Sequence, residues 1–198
     1  MVSFIHDRMK FYFVHVPKTG GMSVAHFFFP DGQLRTGRLD LSLKNEALGI
    51  HDGVEKIVPI LGGAGSDYFS FAFYRNSWDW SFSLYRYIRA TGSHPRHEQV
   101  RDLSFEDYVE QVAADFFRPQ APMVSVDGRC VVKQLEDYRD FPTRFPEILT
   151  DLGFEDVRVE RRNAAPVAVD YRSVYTPRMA ARIADIYEED IAFFNFRF

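Results

Sequence analysis

His15-Val16-Pro17-Lys18-Thr19-Gly20-Gly21-Met22-Ser23 is the stretch that decides how this chain reads. Before it, Phe11-Tyr12-Phe13-Val14-His15-Val16 is aromatic and β-branched, the composition of a buried strand, and Pro17 ends the run. After it, Met22 to Phe28 can continue as a helix. Strand, glycine loop and helix in that order turn backbone N–H groups and the positive helix end toward an oxyanion. Lys18 adds a mobile charge, Thr19 and Ser23 add hydroxyls, and Gly20 and Gly21 allow close approach of the backbone. A structural turn would explain the glycines alone, but not the lysine, threonine and serine around them. A nucleotide P-loop, G-x-x-x-x-G-K-[ST], sets its lysine after the glycines beside a hydroxyl for Mg²⁺. Here the lysine comes first, and no carboxylate-rich magnesium site stands nearby.

Working outward, residues 30–45 lack periodicity and read as loop, and a short helix is predicted over 52–58, limited by Pro59. Phe69 to Tyr74 alternates as a strand should. Trp78, Phe82, Tyr85 and Arg89 then recur at helical steps over 77–90, with Gly92 as the stop. Ser104 and Asp107 form a capping-box pattern for a helix to about Phe117. Asp127-Gly128 is a hairpin signal between 124–126 and 129–132. A helix over 142–152 stops at Gly153, a strand is predicted over 157–160, and Thr176-Pro177 opens one last helix reaching Phe194. There is no internal repeat and no low-complexity linker. The economical expectation is a single α/β domain over 1–198, a central, mainly parallel sheet flanked by helices, with phosphate sites at the C-terminal ends of the strands.

Composition narrows the function classes. A chain of 198 residues, 46% hydrophobic and 26% charged, is an ordinary globular protein with a sizeable core, to which 20 Phe and 10 Tyr contribute most. A formal net charge of -4 argues against non-specific nucleic-acid binding. The lone cysteine, Cys130, makes no internal disulfide, fits a reducing compartment and is expected in the core. No apolar run approaches the ~18–20 residues of a membrane span, and Asp7, Arg8 and Lys10 interrupt any signal-like start, so a cytoplasmic protein is expected.

The stretch His15 to Ser23 closely resembles the H-x-P-K-T-G-G-[TM]-S signature by which sulfotransferases hold 3′-phosphoadenosine-5′-phosphosulfate (PAPS). A distant segment agrees: Phe73-Tyr74-Arg75-Asn76-Ser77-Trp78-Asp79 through Tyr85 is similar to that family's F-x-R-[ND]-P-[YW]-[DE]-R-x-x-S-x-Y. The resemblance implies the P-loop-like sulfotransferase fold. It implies the 5′-phosphosulfate on Lys18, Thr19, Gly20, Gly21, Met22 and Ser23, and the 3′-phosphate on Arg75 and Ser83. Ser77 stands where the family has proline, and Trp80 where it has arginine. Later matches are looser: Leu135-Glu136-Asp137-Tyr138 with Gln134 for an arginine, Asn163-Ala164-Ala165 for N-x-[ST], and Tyr187 to Phe194 for Y-x-x-D-x-x-x-F.

Sulfuryl transfer of this type needs cations and N–H donors at the leaving oxygen, a base at the acceptor hydroxyl, and no metal. Lys18 is the expected partner of the leaving oxygen; otherwise it is a solvated loop lysine. His51 is the expected general base, since imidazole titrates near neutral pH, with Glu55 to orient or replace it. His15 reads as a structural histidine, and the remaining histidines show no metal-ligand spacing. Arginines 75, 86, 89, 96 and 101 make either a solvated basic face or a docking surface for an anionic saccharide. The acceptor is expected to be a hydroxyl on a saccharide or glycolipid. Two alternatives remain: a nucleotide-dependent phosphotransferase, and a non-catalytic module that binds PAPS or a nucleotide.

Overall fold

Four strands, Phe4–His6, Phe11–Val14, Phe69–Tyr74 and Gln134–Asp137, lie side by side in that order in one sheet, and their residues explain the pairing. The computed structural model describes residues 3–29, 48–49, 51–159 and 169–198; the expected loop at 30–45 and the Asn163 motif fall outside them. In chain order the first elements are β1 (Phe4–His6), β2 (Phe11–Val14), α1 (Gly21–Phe28), α2 (Val54–Leu61) and β3 (Phe69–Tyr74). Then come α3 (Ser77–Ala90), α4 (His97–Val100), α5 (Phe105–Gln111) and α6 (Ala121–Val124). The chain continues through β4 (Ser125–Val126), β5 (Arg129–Cys130), β6 (Gln134–Asp137), α7 (Phe141–Asp151), α8 (Pro177–Ile186) and α9 (Glu188–Phe194). The chain divides into two units, one of residues up to 74 with 122–164, the other of 75–121 with 165–198.

The first unit holds the sheet. β2 and β3 run parallel with Phe13 opposite Phe71, β3 and β6 run parallel with Phe73 opposite Glu136, and β1 closes one edge antiparallel. Alternation places Phe11, Phe13, Phe71 and Phe73 in one cluster with Val24, Phe27 and Phe28 of α1 and Phe141, Phe145 and Ile148 of α7. Ring centroids lie 5.0 Å apart for Phe13–Phe71 and 4.8 Å for Phe73–Phe141. Each such ring withdrawn from water stabilises the fold by about 1.5–3 kcal/mol. Asp127 and Gly128 both take positive φ, 49° and 72°, the turn that joins β4 to β5.

Several expectations need correction here. Pro59 does not stop α2, which runs on to Leu61; the ring removes one N–H but its φ suits the helix. Residues 157–159 are not a strand: Val157 and Val159 pack side-on against the phenylalanine cluster without joining the ladder. Cys130 is exposed, on the short hairpin strand rather than in the core.

The second unit is helical. Ser104 caps α5 as predicted by accepting from Asp107 N–H at 3.0 Å, but the helix ends at Gln111 and gives way to a 3₁₀ turn over Ala113–Phe116. Thr176 caps α8, yet the expected last helix is two: Tyr187 leaves helical geometry at φ −111° and ψ 27°. Its buried ring packs on Trp80 and Phe117, and the break precedes Asp190, whose carboxylate is wholly buried. No described helix is long and apolar enough to cross a membrane.

Candidate functional site

In the first unit, the loop after β2 is shaped by its own side chains. Lys18 has φ 65°, in the left-handed region that costs a non-glycine residue strain, and Gly20 follows at φ 86° as the N-cap of α1. The carbonyl of Gly20 accepts from Ser23 N–H at 2.8 Å and Val24 N–H at 3.2 Å. The N–H groups one turn earlier, of Gly21 and Met22, have no carbonyl behind them within the helix. Thr19 is fully buried and its hydroxyl donates to the Val16 carbonyl at 2.8 Å. Its hydroxyl therefore closes the loop. Met22 is exposed, and Ser23 is buried within the first turn.

The two glycines are required by neighbours. A Cβ at Gly21 would stand 1.9 Å from His15 Nε2, and one at Gly20 would stand 2.8 Å from the Phe141 ring. His15, read from sequence as structural, is the buried residue against which the loop folds.

His51 is placed on the same residue. Its Nδ1 lies 3.1 Å from the His15 carbonyl oxygen, and the two rings are 4.6 Å apart. A carbonyl only accepts, so Nδ1 carries the proton and the lone pair of the neutral ring sits on Nε2. Ser3, buried, ties the arrangement together: it accepts from His15 N–H at 2.9 Å and donates to the Asp52 carbonyl at 2.7 Å. Glu55 turns back to accept from Gly53 N–H at 3.2 Å, a capping role at the start of α2. A shallow apolar cavity of about 450 Å³ lies beside α2, lined by Val54, Val58, Pro59, Pro122 and Val126.

In the second unit, Arg75 is the first residue after β3. Its Nε and one terminal nitrogen grip Asp79 at 2.7 and 2.9 Å, and its other terminal nitrogen donates to Ser83 Oγ at 2.9 Å. Steps of four residues stack Asp79 and Ser83 on one face of α3, which is how the predicted Arg75–Ser83 pair meets. A bidentate carboxylate fixes the guanidinium plane before any ligand arrives. Asn76 caps α3 by accepting from Trp78 N–H at 3.2 Å. Trp80, where the family has arginine, is core.

Sequence reasoning missed Gln120. Its buried amide accepts from Arg75 N–H at 2.9 Å and donates to the Arg75 carbonyl at 2.7 Å. Asp190 in turn accepts from Gln120 N–H at 2.8 and 2.9 Å and from Ala121 N–H at 2.8 Å. Desolvation by burial, partly offset by these N–H bonds, raises the Asp190 pKa to about 6. The Asp190 position was visible in the closing-helix pattern; nothing marked Gln120. The arginines after Arg75 are largely engaged: Arg101 pairs with Glu98 and Asp102, Arg89 bonds Tyr85 and the Arg101 carbonyl, and Arg96 bonds the Asp115 carbonyl. These contacts favour a solvated basic face.

No family model matches the chain, and no curated protein matches it in sequence. Among solved structures, mouse sulfotransferase SULT7A1 complexed with PAP is similar at a TM-score of 0.57 and 13% identity, over 98% of this chain and 91% of that one. The protein has the sulfotransferase fold, an α/β architecture with a mostly parallel sheet flanked by helices.

Proposed function

We propose that the protein is a PAPS-dependent sulfotransferase acting in the cytoplasm on a hydroxyl of a saccharide or glycolipid. The observation that carries this reading is the Arg75–Ser83 contact at 2.9 Å, in a chain that also carries the Lys18 loop at the start of α1. The donor sets fit the cofactor chemically: each consists of cationic, N–H or hydroxyl groups, as the two phosphate ends of PAPS demand. Lys18, Thr19, the N–H groups of Gly20, Gly21 and Met22, and the Ser23 hydroxyl would hold the 5′-phosphosulfate, and Arg75 with Ser83 the 3′-phosphate.

When bound, PAPS supplies the sulfuryl group and leaves as the 3′,5′-bisphosphate. Lys18 neutralises charge on the bridging oxygen as the S–O bond breaks. His51 Nε2 takes the proton of the acceptor hydroxyl as the new O–S bond forms, and the His15 carbonyl keeps the proton on Nδ1.

Transfer of radiolabelled sulfate from PAPS to a panel of saccharides and glycolipids tests the reading. The wild-type chain should label an acceptor, and Lys18→Ala should sharply reduce the rate. Turnover of ATP with Mg²⁺ and none with PAPS would make it a phosphotransferase. Binding of PAPS without transfer to any acceptor would make it a binding module.

A further inference from the structure

We propose that Gln120 is a positioning residue for the 3′-phosphate end of the nucleotide, acting by holding the backbone of Arg75. This rests on the reading of Arg75 and Ser83 given above. Arg75 stands between two regular elements: β3 makes its last pairing at Tyr74, and α3 begins at Ser77. Its N–H and C=O therefore have neither a ladder nor a helix to satisfy them, and buried backbone groups left so are costly. The Gln120 amide satisfies both at 2.9 and 2.7 Å, as a neighbouring strand would.

Few side chains could do this. One planar group must offer a donor and an acceptor together, which restricts the choice to Gln or Asn, and Asn is shorter by one methylene. Gln120 is wholly buried, so its amide cannot rotate to solvent. Its own N–H is held by both oxygens of Asp190, also wholly buried. Asp190, Gln120 and Arg75 thus form a chain of hydrogen bonds that ends at a guanidinium already oriented by Asp79 and Ser83. Displacing that guanidinium by about 1 Å costs most of its value to a ligand. Gln120 acts on the phosphate only through Arg75.

Calorimetry with two nucleotides on the full chain separates this from a stabilising role. 3′-Phosphoadenosine 5′-phosphate reports the 3′-phosphate end, and adenosine 5′-phosphate, which lacks it, serves as the control. The wild type should prefer the bisphosphate, and Gln120→Met should weaken the bisphosphate about tenfold or more while leaving adenosine 5′-phosphate unchanged. Asp190→Asn, which keeps volume but offers Gln120 a single acceptor oxygen, should lose part of the preference. Should Gln120→Met not fold, Asp190→Asn decides alone. A lower melting temperature with the preference intact, in either variant, overturns the proposal. Failure of the underlying site looks different: the wild type would show no preference, or Arg75→Ala would leave it untouched.

Discussion

The His15 imidazole fills the space a side chain at Gly21 would need, with Nε2 1.9 Å from the position of a Cβ. Gly21→Ala must therefore displace a buried ring or the loop, an overpacking cost of about 1–3 kcal/mol. Thermal denaturation should show that loss, and the double change with His15→Ala should recover part of it. His51 hangs on the same residue. His51→Ala should lower kcat more than cofactor affinity, and unchanged kcat would move the base elsewhere. Ser3→Ala removes the hydroxyl that joins His15 N–H to the Asp52 carbonyl. It should reduce kcat without changing bisphosphate affinity, and ¹⁵N spectra of the His51 ring should show the tautomer ratio moving with it. An unmoved ratio would mean that Ser3 has no hold on the imidazole.

At the level of elements, local signals were readable and long-range ones were not. The Phe69–Tyr74 strand and the Ser77–Ala90 helix stand where alternation and helical spacing put them, because a long or strongly patterned segment carries its period in its own residues. β1 has only three residues and β6 four, too short for a pattern; β6 exists because β3 offers it a parallel edge. The break at Tyr187 was hidden for a similar reason: the apolar period continues through it, while the cause lies in what Tyr187 and Asp190 touch far away in sequence. The lysine–glycine loop and the Arg75–Ser83 contact were legible because each lies in a contiguous or evenly stepped stretch of sequence. Gln120 reaches Arg75 across 45 residues, so no spacing rule could find it. Where the signal is local, the energetic consequence is local too. Thr176 accepts from Met179 N–H at 3.2 Å, and Thr176→Ala should destabilise by about 1 kcal/mol in chemical denaturation. Phe145, fully buried among the rings of α7 and the sheet, should cost about 3–5 kcal/mol when cut to alanine.

For the molecule as a whole, Asp190 links stability to pH. Its folded pKa, raised by burial from the ordinary 3.8 to about 6, means the folded state holds a proton that the unfolded state releases in that window. The stabilisation is complete below the unfolded value and is lost as pH rises through about 6. Asp190→Asn removes this dependence, so its melting temperature relative to wild type should climb between pH 4 and 6. A constant difference across that range would show that the carboxyl does not change protonation on unfolding.

Cys130, the only sulfhydryl in the chain, lies exposed on β5, one residue after the hairpin turn begins to return. That gives the chemist a single handle. A maleimide dye should attach at one place without any cysteine being engineered in or out, and the same sulfur would couple two molecules if a sample is stored in air without reductant.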